Sequence, residues 1–301
     1  MNKKLQLLPV YIFLSVFFII SSCKRDINYM KTATTSLMVS ENTNTKESYS
    51  ADFVITEYNK GQNFKIGRNN MPVPVNVFSV LKQEAPNYDI LSPISNSEKF
   101  QSIYTQAIYI GIYSADLTYC LLNENNQKSL EYFEAMNNLC SVAGVDMGFS
   151  NHFLKKMRKN VDNLDSMEIY KGRIIRKTKR FLDANENSEI VTFVVFGTWL
   201  ENLYLLTNAA LQDVSNKDIS ELIISQKIII QKFIPFLNDQ MINTESYDAN
   251  VKIEEINLHF QELLKFYNQI NVNEATFMSK EDLEQLKQKV SKIREGFISL
   301  Q

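Results

Sequence analysis

Two carboxylates stand in apolar surroundings. Asp116 lies within Gly111-Ile112-Tyr113-Ser114-Ala115-Asp116-Leu117-Thr118-Tyr119, and Glu201 within Gly197-Thr198-Trp199-Leu200-Glu201-Asn202-Leu203-Tyr204. An unpaired buried charge is costly, so each needs a partner. On helices, Tyr109, Tyr113 and Asp116 share one face; Val194, Gly197, Glu201 and Asn208 share another. If those faces meet, two carboxylates, two tyrosines and an amide converge in the interior. Such a set can hold a small polar ligand or a cation, or carry acid–base chemistry in a hydrolase of unrecognised type. It can equally be a hydrogen-bond network that fixes helix register. The network is the preferred reading, because structural networks also bury carboxylates. The tyrosine hydroxyls and an arginine such as Arg158, Arg173 or Arg176 are the candidate partners. Gly111 and Gly197 let helices approach closely or leave room for a ligand.

Other chemistry finds little support. His152 and His259 are the only histidines. A di-iron bundle needs paired Glu-x-x-His, whereas Ile256 stands three residues before His259 and Glu255 four before it. That single pair reads as surface. Gly-x-Ser-x-Gly, Walker and dinucleotide patterns are absent, as is Cys-x-x-Cys-His. The reading assigns no catalytic residue, no metal ligand and no cofactor. A net charge of −2 gives no electrostatic case for nucleic acid. The basic clusters Lys155-Lys156-Met157-Arg158-Lys159 and Arg173 to Arg180 read as solvated helix faces.

The elements that must position Asp116 and Glu201 are helices. Ser95-Asn96-Ser97-Glu98 has capping-box spacing and opens a helix through Leu122. Further helices are expected over about 127–143, stopped by Gly144, and about 149–163. Asp165-Ser166-Met167-Glu168 caps the next, to about 185. Others span about 188–211, about 215–241 with a kink at Pro235, about 251–270, and from a Ser279 cap to about 300. Ile103 to Leu122 and Ile190 to Leu211 are apolar on nearly every side, which marks buried or membrane-spanning helices. Glu201, Asn202 and Asn208 argue against spanning, so these two form the centre of a bundle. Only 8 glycines occur in 301 residues, few for a β-rich or phosphate-cradling protein.

The N-terminus carries a different chemistry. Met1-Asn2-Lys3-Lys4 precedes an apolar run from Leu5 to Ile20, then Ser21-Ser22-Cys23. A basic head, an apolar core and a small-residue exit build a secretory signal. The run falls short of the roughly 20 residues of a spanning helix, and Pro9 interrupts it. Ile20-Ser21-Ser22-Cys23 resembles the lipobox of bacterial lipoproteins. That resemblance implies cleavage before Cys23, a diacylglycerol on its thiol and usually an acyl chain on its new amine. Each acyl methylene contributes about 0.8 kcal/mol of membrane affinity, and stable anchoring takes two chains or more. It also implies a bacterial cell envelope. Lys24, rather than Asp, follows the cysteine, which favours the outer membrane facing the periplasm. Two cysteines remain, Cys120 and Cys140. Antiparallel helices joined near Leu122–Gln127 would offset them by roughly 15 Å, too far for a disulfide, so both are expected as buried free thiols.

The chain divides into four regions: signal peptide 1–22, lipidated flexible tether 23–50 rich in Thr, Ser, Asn and Lys, irregular cover 51–95, and an all-α domain 96–301 of about seven or eight helices. The segments around Asp116 and Glu201, with the stretch Asn160 to Asp165, resemble helical lipoproteins of unknown function from Bacteroidetes. The abundance of Asn, Lys and Ile points the same way. That resemblance covers roughly 100–210 and carries over no functional residue. The leading functional expectation is a non-enzymatic binding or scaffold protein held to the membrane by lipid, with an envelope protein as partner. The alternative is a ligand- or metal-binding bundle using the buried acids.

Overall fold

A computed structural model describes residues 64–66, 69–71, 81, 86–94, 100, 102–163, 165–167, 169–170, 173–174, 177, 180–181, 189–270 and 277–299. All belong to the unit Tyr49–Gln301. The leader, Cys23, the tether and the Ser95–Glu98 box lie outside the described residues.

The described residues form an α-helical bundle preceded by a few residues of the N-terminal cover. The helices are α1 Ile103–Leu122, α2 Asn126–Val142, α3 Asn151–Lys159, α4 Glu189–Gln212, α5 Lys217–Asn243, α6 Tyr247–Gln269 and α7 Lys280–Ser299. Further helical residues recur between 165 and 181. The cover contributes a short antiparallel hairpin, β1 Phe64–Ile66 with β2 Asn69–Met71.

Local chemistry sets the boundaries. Ser102 caps α1 by accepting from the Tyr104 amide. The Phe100 carbonyl is held outside the helix by the Gln106 side-chain amide at 2.8 Å. Helices α1 and α2 both close in Schellman turns. Asn125 N–H donates to Cys120 O and Glu124 N–H to Leu121 O, with Glu124 left-handed at φ 57°. Val145 N–H donates to Cys140 O and Gly144 N–H to Ser141 O, with Gly144 at φ 68°. α3 stops at Lys159, earlier than its apolar spacing suggests, because Asn160 and Asn163 turn the chain and Asn163 caps the next helical stretch. Asn216, Ser246 and Ser279 cap α5, α6 and α7. The Ser246 cap starts α6 four residues before Val251. Helix α5 continues through Pro235 to Asn243.

The centre is the α1–α4 pair. Tyr104 meets Phe193, Ile108 meets Gly197 and Asp116 meets Glu201, so the two helices run parallel. Glycine permits the contact. A Cβ on Gly111 would collide with Val194 O and stand 2.6 Å from Thr198 N; one on Gly197 would collide with Ile108 O. Thr198 Oγ1 spans the crossing, 3.2 Å from Gly111 O. By length and composition α4 alone among the described helices is apolar enough to cross a membrane. Yet 83% of that stretch is buried inside the bundle, as befits a core helix. α7 lies along α4, and α5 pairs with α6. The seam between these pairs is aromatic: Trp199, Phe196, Phe233, Phe260 and Phe297 interlock at centroid distances of 4.7 to 6.4 Å. Trp199 Nε1–H finds Gln226 Oε1 at 3.0 Å, as a buried indole requires. Cys120 and Cys140 are free and buried.

Candidate functional site

The polar cluster is built around Glu201, which lies in the middle of α4 and is 0% exposed. Its partner comes from the far end of the chain. Arg294 on α7 donates from Nε to Glu201 Oε2 at 2.6 Å and from Nη2 to Oε1 at 2.9 Å. This two-bond geometry suits the planar guanidinium. Nη2 also donates to Ser92 Oγ at 2.6 Å and reaches Ile90 O at 3.4 Å. The Arg294 Cζ stands 4.3 Å from the Tyr204 ring centre, adding a cation–π contact on the same helix as Glu201.

Ser92 links the ion pair to the second carboxylate. Its amide donates to Asp116 Oδ2 at 3.1 Å, and its carbonyl accepts from Tyr132 OH at 2.7 Å. Tyr113 OH donates to Pro93 O at 3.2 Å. Residues 90–93 of the cover are thus stapled to α1, α2 and α7 by named side chains. Leu91 and Ser92 are buried, so the backbone there must find partners, and for Ser92 the cluster supplies them.

Burial pushes the Asp116 carboxyl well above the ordinary range, and the charge of Glu201 pushes further; Arg294 and the Ser92 amide only partly oppose. The fold therefore favours the protonated form of Asp116. Its Oδ1 meets no donor among the described residues, while the carboxyl lies within hydrogen-bonding reach of Glu201. A proton on Asp116 supplies the missing bond and leaves one anion facing one cation, a neutral set. Burial disfavours charge on Arg294, but the Glu201 charge and hydrogen bonds outweigh it and the guanidinium stays ionised. Burial raises Tyr113 and Tyr132, so both remain phenol donors to the cover.

Of the residues marked in the sequence, Asp116, Glu201 and Tyr113 come together here. Tyr109 borders the group: its ring stands 5.6 Å from that of Tyr113, and its hydroxyl has no hydrogen-bond partner among the described residues. Asn208 stands apart. It donates to Tyr204 O one turn back on its own helix at 2.8 Å, about two turns from Glu201. The arginine differs from the three expected. Arg158 pairs with Glu134 on the surface at 2.5 Å, Arg173 is exposed, and the side chain of Arg176 lies outside the described residues. Arg294, Ser92 and Tyr132 carried no distinguishing sequence signal. Arg294 occurs in an ordinary amphipathic helix, and its inward setting follows only from where α7 docks. His259 is half-buried edge-on against Phe297 at 5.8 Å, while Glu255 holds Lys252 at 2.7 Å.

A carboxylic acid beside a carboxylate can keep and share a proton, and the guanidinium can bind an anion. Here those capacities are spent within the cluster and on the 90–93 backbone. Among the described residues no three His, Cys, Asp or Glu side chains gather in a way that could hold a metal ion. No family model, curated protein or solved structure matches this chain.

Proposed function

We propose that the chain is a lipid-anchored cell-envelope protein whose helical bundle has a non-enzymatic binding or scaffold role. The carrying observation is the order Lys3-Lys4, apolar 5–20, Ser21-Ser22-Cys23, which suits export followed by acylation of the Cys23 thiol. Two acyl chains or more would hold the protein at the membrane, for which we favour the outer membrane facing the periplasm, with an envelope protein as partner. The scaffold half of the reading is supported by the buried cluster. Asp116, Glu201 and Arg294 point at one another and at Ser92, an arrangement that fastens the cover rather than presenting reactive groups. Intact-mass measurement of the protein purified from its own membranes tests the anchor. A lipid-sized mass on wild type, lost in Cys23→Ala, supports it; an unmodified Cys23 overturns it.

A second reading keeps the cluster as a small-ligand site, favoured by the buried Tyr109 hydroxyl, which finds no partner among the described residues. Native mass spectrometry separates the two. A non-covalent mass lost in Glu201→Gln with the fold retained supports the ligand site. Lower stability with no bound mass supports the structural network.

A further inference from the structure

The charge of this chain is strongly uneven. Residues 151–181 hold 10 of the 32 basic residues and 3 of the 34 acidic ones, so the rest of the chain is acidic. The fold gathers the basic part. α3 turns Phe153, Leu154 and Met157 inward, leaving Lys155, Lys156 and Lys159 exposed on one face. The helical residues after α3 dock on it: Tyr170 meets the Phe153 ring at 5.4 Å and accepts from Asn160 at 3.3 Å. Met167, Tyr170 and Ile174 face inward, and Ile169, Arg173 and Arg180 face solvent at helical spacing. Lys177 is tied down to Gly148 O and over the Phe149 ring. Arg158 is spent on Glu134; two exposed carboxylates adjoin the face, Asp162 in the turn and Asp165 at the start of the next helical stretch.

We infer that the outer face carrying Lys155, Lys156, Lys159, Arg173 and Arg180 is a docking surface for the anionic phospholipid headgroups of the membrane to which the chain is tethered. Charge complementarity commits it to that occupant. A net-basic patch on an otherwise acidic body is drawn to a negative leaflet and turns its acidic remainder away, over a range set by the Debye length. Ile169, 55% exposed one turn before Arg173, adds an apolar contact at headgroup depth. Lipid acylation alone fixes distance; this face would fix orientation. The inference rests on the lipid-anchored reading of the chain.

The full-length protein in vesicles tests it by amine labelling, read at each lysine by mass spectrometry. One set of vesicles is zwitterionic phosphatidylcholine; the other contains about one-third phosphatidylglycerol. Lys217 and Lys280, exposed on other helices, serve as references. Labelling of Lys155, Lys156 and Lys159 relative to them is expected to fall about three-fold or more in the anionic vesicles, and to recover at roughly 0.5 M salt. In Lys155→Glu/Lys159→Glu, whose changes are solvent-exposed, protection of Lys156 should disappear. Equal labelling in both vesicle types overturns the proposal, as does protection that ignores salt. Protection seen only in native membranes also overturns it and assigns the face to a protein partner. The intact mass of the same sample reports on Cys23 separately. If that residue carries no lipid, the chain is added to preformed vesicles and the same contrast is read.

Discussion

Arg294 and Glu201, 93 residues apart in sequence, meet through two hydrogen bonds of 2.6 and 2.9 Å in a setting where the glutamate is wholly buried. The pair ties α7 to α4, and through Ser92 it also ties the cover to both.

Breaking one half leaves the other charged and dry. Arg294→Met should cost about 3–5 kcal/mol of unfolding free energy, whereas Glu201→Gln/Arg294→Met together should recover much of it, since an apolar replacement of a buried pair is often near neutral. Urea denaturation of both variants checks this. A double variant no more stable than the single one would show that the guanidinium serves mainly through Ser92 and Ile90.

Asp116 sets a pH dependence of definite sign. Its folded pKa is raised from an ordinary 3.8, so the folded chain keeps a proton that the unfolded chain releases. Its contribution is complete below about pH 3.8 and is lost progressively as pH climbs toward the folded value. Asp116→Asn mimics the protonated acid, keeping an acceptor for Ser92 and a donor for Glu201. Relative to wild type, it should gain stability as pH rises above 5. Parallel denaturation curves for the two proteins across that range would mean that Asp116 is ionised in the fold.

Glycine substitutions should rank by what a Cβ meets. Gly197→Ala drives a methyl into the Ile108 carbonyl and should cost about 3 kcal/mol or more by forcing α1 and α4 apart. Gly144→Ala meets nothing within 4 Å but must sit at φ 68°, costing about 1–2 kcal/mol. Gly296→Ala, with open space around it on α7, should gain about 0.5–1 kcal/mol from helix propensity. Thermal melts of the three place them in that order. If Gly197→Ala instead proves neutral, the α1–α4 contact is looser than its backbone distances imply.

Much of this architecture is already written in local pattern. The all-round apolar runs of α1 and α4 announce their central position, and Ser279, Asn216 and Gly144 mark helix ends through short-range capping that needs no tertiary partner. Asp116 and Glu201 stand out because a carboxylate in an apolar run must be buried with something. The identity of that something is a tertiary fact. Arg294 belongs to a helix of ordinary amphipathic periodicity, and Ser92 to a loop without a pattern; only the docking of α7 and the cover onto α4 turns them inward. The start of α1 is set locally. The Phe100 side chain is buried and its carbonyl is claimed by Gln106, and Ser102 caps the helix that starts at Ile103. Asn208 shows the converse. Shared helical phase puts it on the face of Glu201, but two turns of rise separate them, and its amide bonds its own helix. Sequence periodicity therefore determined which faces are buried, because side-chain phase is local, whereas tertiary packing alone decided which polar atoms meet, because that depends on how far each helix slides along its neighbour.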